Sequence, residues 1–61
     1  MAGKFELFKD AKGNYRFRLK AGNGEIIAVG EAYASKSGAL NGIDSVRRNA
    51  ADAELVDQTE T

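Results

Sequence analysis

Tyr15-Arg16-Phe17-Arg18-Leu19-Lys20 alternates strictly between apolar and basic side chains, the period-two pattern of a strand with one buried face. Lys4-Phe5-Glu6-Leu7-Phe8-Lys9 precedes it and alternates less cleanly, and the two are joined by Asp10-Ala11-Lys12-Gly13-Asn14. That linker suits a type I turn closed by Gly13 in the left-handed conformation, a three-residue hairpin loop with a bulge. Counting outward sets Lys9 opposite Tyr15, Leu7 opposite Phe17, Phe5 opposite Leu19 and Glu6 opposite Arg18. Apolar then meets apolar and acid meets base, which are two independent checks on the register.

Outward on the other side, Asn23-Gly24 is the favoured dipeptide of a two-residue type I′ hairpin turn, and the β-branched run Glu25-Ile26-Ile27-Ala28-Val29 follows it. Its pairing is expected to set Ala21 against Ile26, Leu19 against Ala28 and Phe17 against Gly30. Phe5, Leu7, Phe17, Leu19, Ile26 and Ala28 then share one face. From Ser35 the period changes: Ala39, Leu40, Ile43, Val46 and Ala50 fall three or four apart, the stripe of an amphipathic helix. Ser35 or Ser37 supplies the N-cap, Arg47 and Arg48 favour the negative end of the helix dipole, and Asn49 is the expected stop. Ala53-Glu54-Leu55-Val56-Asp57 reads as a short terminal strand, and residues 58–61 are expected to fray. The fold class is α+β, with a core of Phe5, Leu7, Phe17, Leu19, Ala28, Leu40, Ile43 and Val46.

A chain of 61 residues forms one domain, spanning 1–61, and buries only about 60% of its unfolded surface. Such domains draw on disulfides, a structural metal or oligomerisation. With no Cys and no His, the first is excluded and a zinc site lacks its preferred ligands, which leaves oligomerisation. No cofactor is expected. The net charge of zero conceals a sorted distribution. Lys4, Lys9, Lys12, Arg16, Arg18 and Lys20 outnumber Glu6 and Asp10 in the first third, whereas Asp52, Glu54, Asp57 and Glu60 crowd the end without a base. The chain shows no secretory leader pattern, no membrane-length apolar run and, with Ala2 after Met1, no myristoylation signal, so a cytoplasmic location is expected.

The words Gly3-Lys4-Phe5-Glu6-Leu7-Phe8-Lys9-Asp10, Gly13-Asn14-Tyr15-Arg16-Phe17-Arg18-Leu19-Lys20-Ala21, Asn23-Gly24-Glu25 and Asn41-Gly42-Ile43 with Ser45-Val46 resemble the YegP-like family of uncharacterised small bacterial proteins. The resemblance covers nearly the whole chain, with Gly30 a mild departure where relatives carry a small polar residue. It implies an antiparallel β(3)-α-β unit, present as two tandem copies or as a single copy that dimerises into one continuous sheet with exchanged C-terminal strands. This chain looks like the single-copy kind, with Leu55 and Val56 as the dimer contact. The family brings no activity to carry over.

The sharpest chemical candidate is the basic row Arg16, Arg18 and Lys20, whose period-two spacing could track phosphates and make a weak nucleic-acid binder. Against it, Arg18 has Glu6 as a partner, Phe17 and Tyr15 point away from the row, and the chain has no net positive charge. Gly22-Asn23-Gly24 is followed by a strand rather than a helix, so it is a hairpin turn and not a phosphate loop. Ser35, Ser37 and Gly38 at the helix start are explained by capping. Glu25 and Glu31 lack a cleft for paired-acid chemistry, and Lys36 and Tyr33 are more simply a surface lysine and a packed loop aromatic. The serines have no base to activate them. The expectation is therefore a non-catalytic homodimeric binding or assembly module, with no membrane partner and no identifiable small-molecule ligand.

Overall fold

The computed structural model describes residues 2–59. The elements run β1 (Lys4–Lys9), β2 (Tyr15–Lys20), β3 (Ile26–Val29) and α1 (Lys36–Ala50), and the strands form one antiparallel sheet in the order β1-β2-β3 with α1 laid across β2. β1 and β2 pair as the alternation predicts, with Leu7 opposite Phe17, Phe5 opposite Leu19 and Glu6 opposite Arg18. Their loop closes with Asp10 N–H donating to the Asn14 carbonyl at 2.9 Å and Gly13 at φ 83°. Asp10 Oδ1 also accepts from the amides of Lys12 and Asn14, each at 2.9 Å, which ties the turn from inside.

The second loop departs from the expected type I′ turn. That turn needs positive φ at both central residues, and Asn23 does not adopt it; only Gly24 does, at 90°. Ala21 N–H donates to the Glu25 carbonyl and Gly24 N–H to the Ala21 carbonyl, so the chain repeats the geometry of the first loop. Asn23 Oδ1 accepts from Glu25 N–H at 3.0 Å. The longer loop moves Ile26 opposite Lys20 instead of Ala21, and a bulge between Leu19 and Lys20 restores the expected pairing of Leu19 with Ala28. Ile26 thus leaves the inner row. Gly30 N–H donates to the Phe17 carbonyl, and Tyr33 bridges to Tyr15 beyond it.

Phe17 is the hub of the core. It is 5% exposed, and Ala39 and Ile43 of α1 are buried with it. Phe5 meets its ring edge-on at a centroid distance of 6.2 Å, and Tyr33 stacks on it at 6.1 Å. Arg47 lies over the Phe5 ring at 5.4 Å, covering the open end of the core with its stem and charge.

Ser35 is the N-cap, its Oγ accepting from Gly38 N–H at 3.1 Å. At the far end Asn49 does not stop the helix: its side chain donates back to the Ser45 carbonyl at 2.8 Å, and the helix continues to Ala50 with Ala51 as C-cap.

Two expected core residues lie outside it. Leu40 is 49% exposed and Ala28 is exposed with the whole of β3, because α1 rests on β2 along Ala39, Ile43 and Val46 and does not reach over the third strand. The expected terminal strand is likewise absent among the described residues of the single chain. Residues 53–57 join neither sheet edge, and a strand without a ladder partner lacks the inter-strand hydrogen bonds that would hold it. Asp57 and Thr59 form a local turn, with Thr59 N–H and Oγ1–H both donating to Asp57 Oδ1. Residues 60 and 61 lie outside the described part.

Candidate functional site

The outer face of the sheet brings together Arg16, Arg18 and Lys20, as the alternation of β2 requires, and sets beside them Glu6 and Phe8 from β1. Arg18 donates through Nε to Glu6 Oε1 at 2.7 Å, and its guanidinium stacks on the Phe8 ring at 4.8 Å. Lys20 reaches the same carboxylate oxygen at 3.4 Å. Arg16 is turned elsewhere: an Nη donates to the Gly30 carbonyl at 3.2 Å, and its Nε is enclosed without a partner. The row of cations therefore serves the sheet. Two of the three charges share one carboxylate, the third is tied to backbone, and the one aromatic on this face is covered by an arginine rather than open for a base to stack on it.

The Arg18 hydrogen bond, with a smaller contribution from Lys20, holds the Glu6 carboxyl below its ordinary value of 4.5, against an opposing contribution from partial burial. A carboxylate with a depressed folded value stabilises the fold above its unfolded value and loses that contribution as pH falls through the folded one. Glu6→Gln is accordingly expected to lower the thermal midpoint at neutral pH and to match the parent once pH is well below 4.5. Thermal unfolding of both proteins across pH 2–7 checks this, and a constant offset at every pH would show that Glu6 acts through shape instead of charge.

A second feature was not foreseen. At the end of β1, Leu7, Phe8, Lys9, Tyr15 and Lys36 line an open cleft of about 320 Å³. Lys9 Nζ sits 5.1 Å from the centroid of Tyr15, its cross-strand partner, and neither Lys9 nor Lys36 is in an ion pair among the described residues. The register already placed Lys9 beside Tyr15; what sequence could not supply was the position of the helix start, which brings Lys36 to the same place. The expected contact residues Leu55 and Val56 are 87% and 64% exposed. Among the described residues there is no cluster of acids suited to holding a metal ion, and no helix is long and apolar enough to cross a membrane.

Residues 10–57 match the model of a domain of unknown function, DUF1508. The chain belongs to this family. The DUF1508 chain is 68% identical over 57 residues to a UPF0339 protein of Treponema denticola, covering 93% of this chain and 98% of that one. It is 54% identical over 52 residues to the UPF0339 protein in the ptx operon 5′ region of Stutzerimonas stutzeri, covering 85% of this chain but 47% of the relative. A solution NMR structure of a protein from Haloferax volcanii is 51% identical and superposes with a TM-score of 0.82, covering 92% of this chain and 95% of that chain. The resemblance to the YegP-like family is thereby established, and the family extends beyond bacteria to archaea. No activity comes with it.

Proposed function

We propose that this chain is a non-catalytic assembly module that acts as a homodimer held by exchange of its C-terminal segments. The observation that carries this reading is the mismatch between core and surface. Among the described residues Phe17, Ala39 and Ile43 are the buried apolar residues, while Ile26, Ile27, Val29, Leu40, Leu55 and Val56 are all about half exposed or more. So small a core leaves a domain of this length marginal, and an uncovered apolar surface of that extent marks an interaction site. A twofold contact in which each tail pairs with its neighbour would cover a sheet edge, give residues 53–57 their missing ladder and close the assembly at two copies. The Stutzerimonas relative supports the same logic, since a protein about twice the matched length has room for two units in one chain.

Sedimentation of the parent at micromolar concentration is expected to give twice the chain mass, and a truncation ending at Asp52 to give a monomer that unfolds at lower temperature. A truncated protein that remains a stable dimer would refute the exchange.

A further inference from the structure

We propose that the cleft at the end of β1 is a binding site for a small anion carried on an apolar body, an aryl phosphate or aryl carboxylate, with Lys9 and Lys36 holding the anion and Leu7 and Phe8 meeting the body. This goes beyond the assembly reading and stands without it. Adjacent residues of a strand point to opposite faces, so a cavity lined by both Leu7 and Phe8 wraps the free edge of β1. Its floor therefore joins two apolar side chains to strand backbone that has no neighbouring strand on that side. The volume of about 320 Å³ lies at the lower end of the range for ligand pockets and equals the share of about ten waters in the liquid. A single aromatic ring bearing one anionic group is of that size.

The charged residues lining the cleft are both basic. Lys9 Nζ is held 5.1 Å from the Tyr15 ring centroid, and Lys36 comes to the same cavity from the start of α1. Neither is in an ion pair among the described residues. The acids nearest in sequence are committed elsewhere: Glu6, within β1, takes Arg18 and Lys20 on the outer face, and Asp10 accepts from the Lys12 and Asn14 amides inside its turn. Other cations have other work. Arg16 is spent on the Gly30 carbonyl, Arg47 on the Phe5 ring and Arg48 on Asp44, while Lys4 and Lys12, also without an ion pair, do not line the cleft. Two ammonium groups brought to one cavity without a carboxylate repel each other, and an anion between them relieves that repulsion while accepting charge-assisted hydrogen bonds. The apolar wall sets the second requirement, since a bare anion would leave Leu7 and Phe8 uncovered.

Amide-detected NMR titration of the full-length protein with phenyl phosphate, at neutral pH and low salt, is expected to give saturable shifts at Leu7, Phe8, Lys9, Tyr15 and Lys36. Shifts of that size are not expected along Arg16, Arg18 and Lys20 or at Arg47 and Arg48. Inorganic phosphate is expected to bind at least about fivefold more weakly for want of the apolar contact, and benzyl alcohol, for want of the charge, not to saturate. Benzoate separates the two sources of the anion: affinity within about threefold of phenyl phosphate means that the site takes carboxylates and phosphates alike, and weaker binding that it prefers the doubly charged group. Lys9→Gln and Lys36→Gln are each expected to weaken phenyl phosphate at least about fivefold, and Lys12→Gln to leave it within about twofold. Shifts spread evenly over all the basic residues, shifts centred on Arg16 to Lys20, or an affinity indifferent to both lysines overturn the site. Absence of saturable shifts in the full-length protein overturns it as well, and is the result expected if a segment of a second copy fills the cleft; the homodimer reading then stands. The shift map of the parent needs no substitution, so it decides alone should a variant fail to fold.

Discussion

Replacing Phe17 by alanine is expected to unfold most of the protein at 25 °C. Truncating a buried phenylalanine to alanine costs about 3–5 kcal/mol, the lost transfer free energy plus the cavity left behind. A domain of this length holds roughly 3–9 kcal/mol of stability at the usual value per residue. The cavity would be hard to relax into, because the Phe17 ring is approached from every side. Phe5 and Tyr33 flank it, and the backbones of Gly30 and Gly42 come so close that a methyl group on either would overlap the ring or nearly so. Among the described residues no other aromatic side chain is buried to the same degree, so no second ring can take over as the hub. Chemical denaturation at fixed protein concentration should show Phe17→Ala mostly unfolded without denaturant. Phe8→Ala, on the outer face under Arg18, should retain a folding transition. Equal losses at the two positions would mean that the core is not centred on Phe17.

That hub was legible in the sequence because several signals agreed. The strict alternation of β2, the single workable register against β1 and the turn chemistry of Asp10 to Asn14 each placed Phe17 inward, and consistency of this kind is what specifies a fold. The second hairpin was half legible. Asn-Gly favours a type I′ turn, but that turn demands positive φ of Asn23 as well as Gly24, whereas the three-residue loop demands it of the glycine alone and lets Asn23 bond Glu25 N–H. The difference moved one residue, Ile26, to another row. The helix stripe was legible in period but not in reach: Leu40 and Ala28 looked internal because spacing records which residues share a face and not how wide a strip of sheet the helix covers. Arg16, Arg18 and Lys20 were correctly placed on one face, while the stacking of Arg18 on Phe8 and the turning of Arg16 toward Gly30 depend on rotamers that spacing does not record. The cleft between Lys9 and Lys36 joins residues far apart in sequence, and no local pattern announces it.

Gly42→Ala is expected to destabilise the protein by about 1–3 kcal/mol, although the same change in an ordinary helix interior would stabilise it by about 1 kcal/mol. Gly42 lies within α1 on the side that faces the core, and a Cβ there would overlap the Tyr33 hydroxyl, lie 2.8 Å from Tyr33 Cζ and lie 3.1 Å from Phe17 Cε2. The glycine therefore lets the helix backbone approach the two stacked rings, and a methyl group must lift α1 off β2 or turn Tyr33 out of its stack. Either movement opens the contact around Phe17. Gly38, one helical turn earlier, is the comparison: a Cβ at that position meets Ser35 Oγ at 3.2 Å and Tyr33 only at ordinary contact distances, so Gly38→Ala should change stability far less. The decisive measurement is a double-mutant cycle. In a Tyr33→Ala background the obstructing ring is gone, and Gly42→Ala should turn from destabilising to neutral or stabilising. If its cost were the same with and without Tyr33, the glycine would be required for something other than the close approach of helix to ring, and the packing of α1 on the sheet would need another explanation.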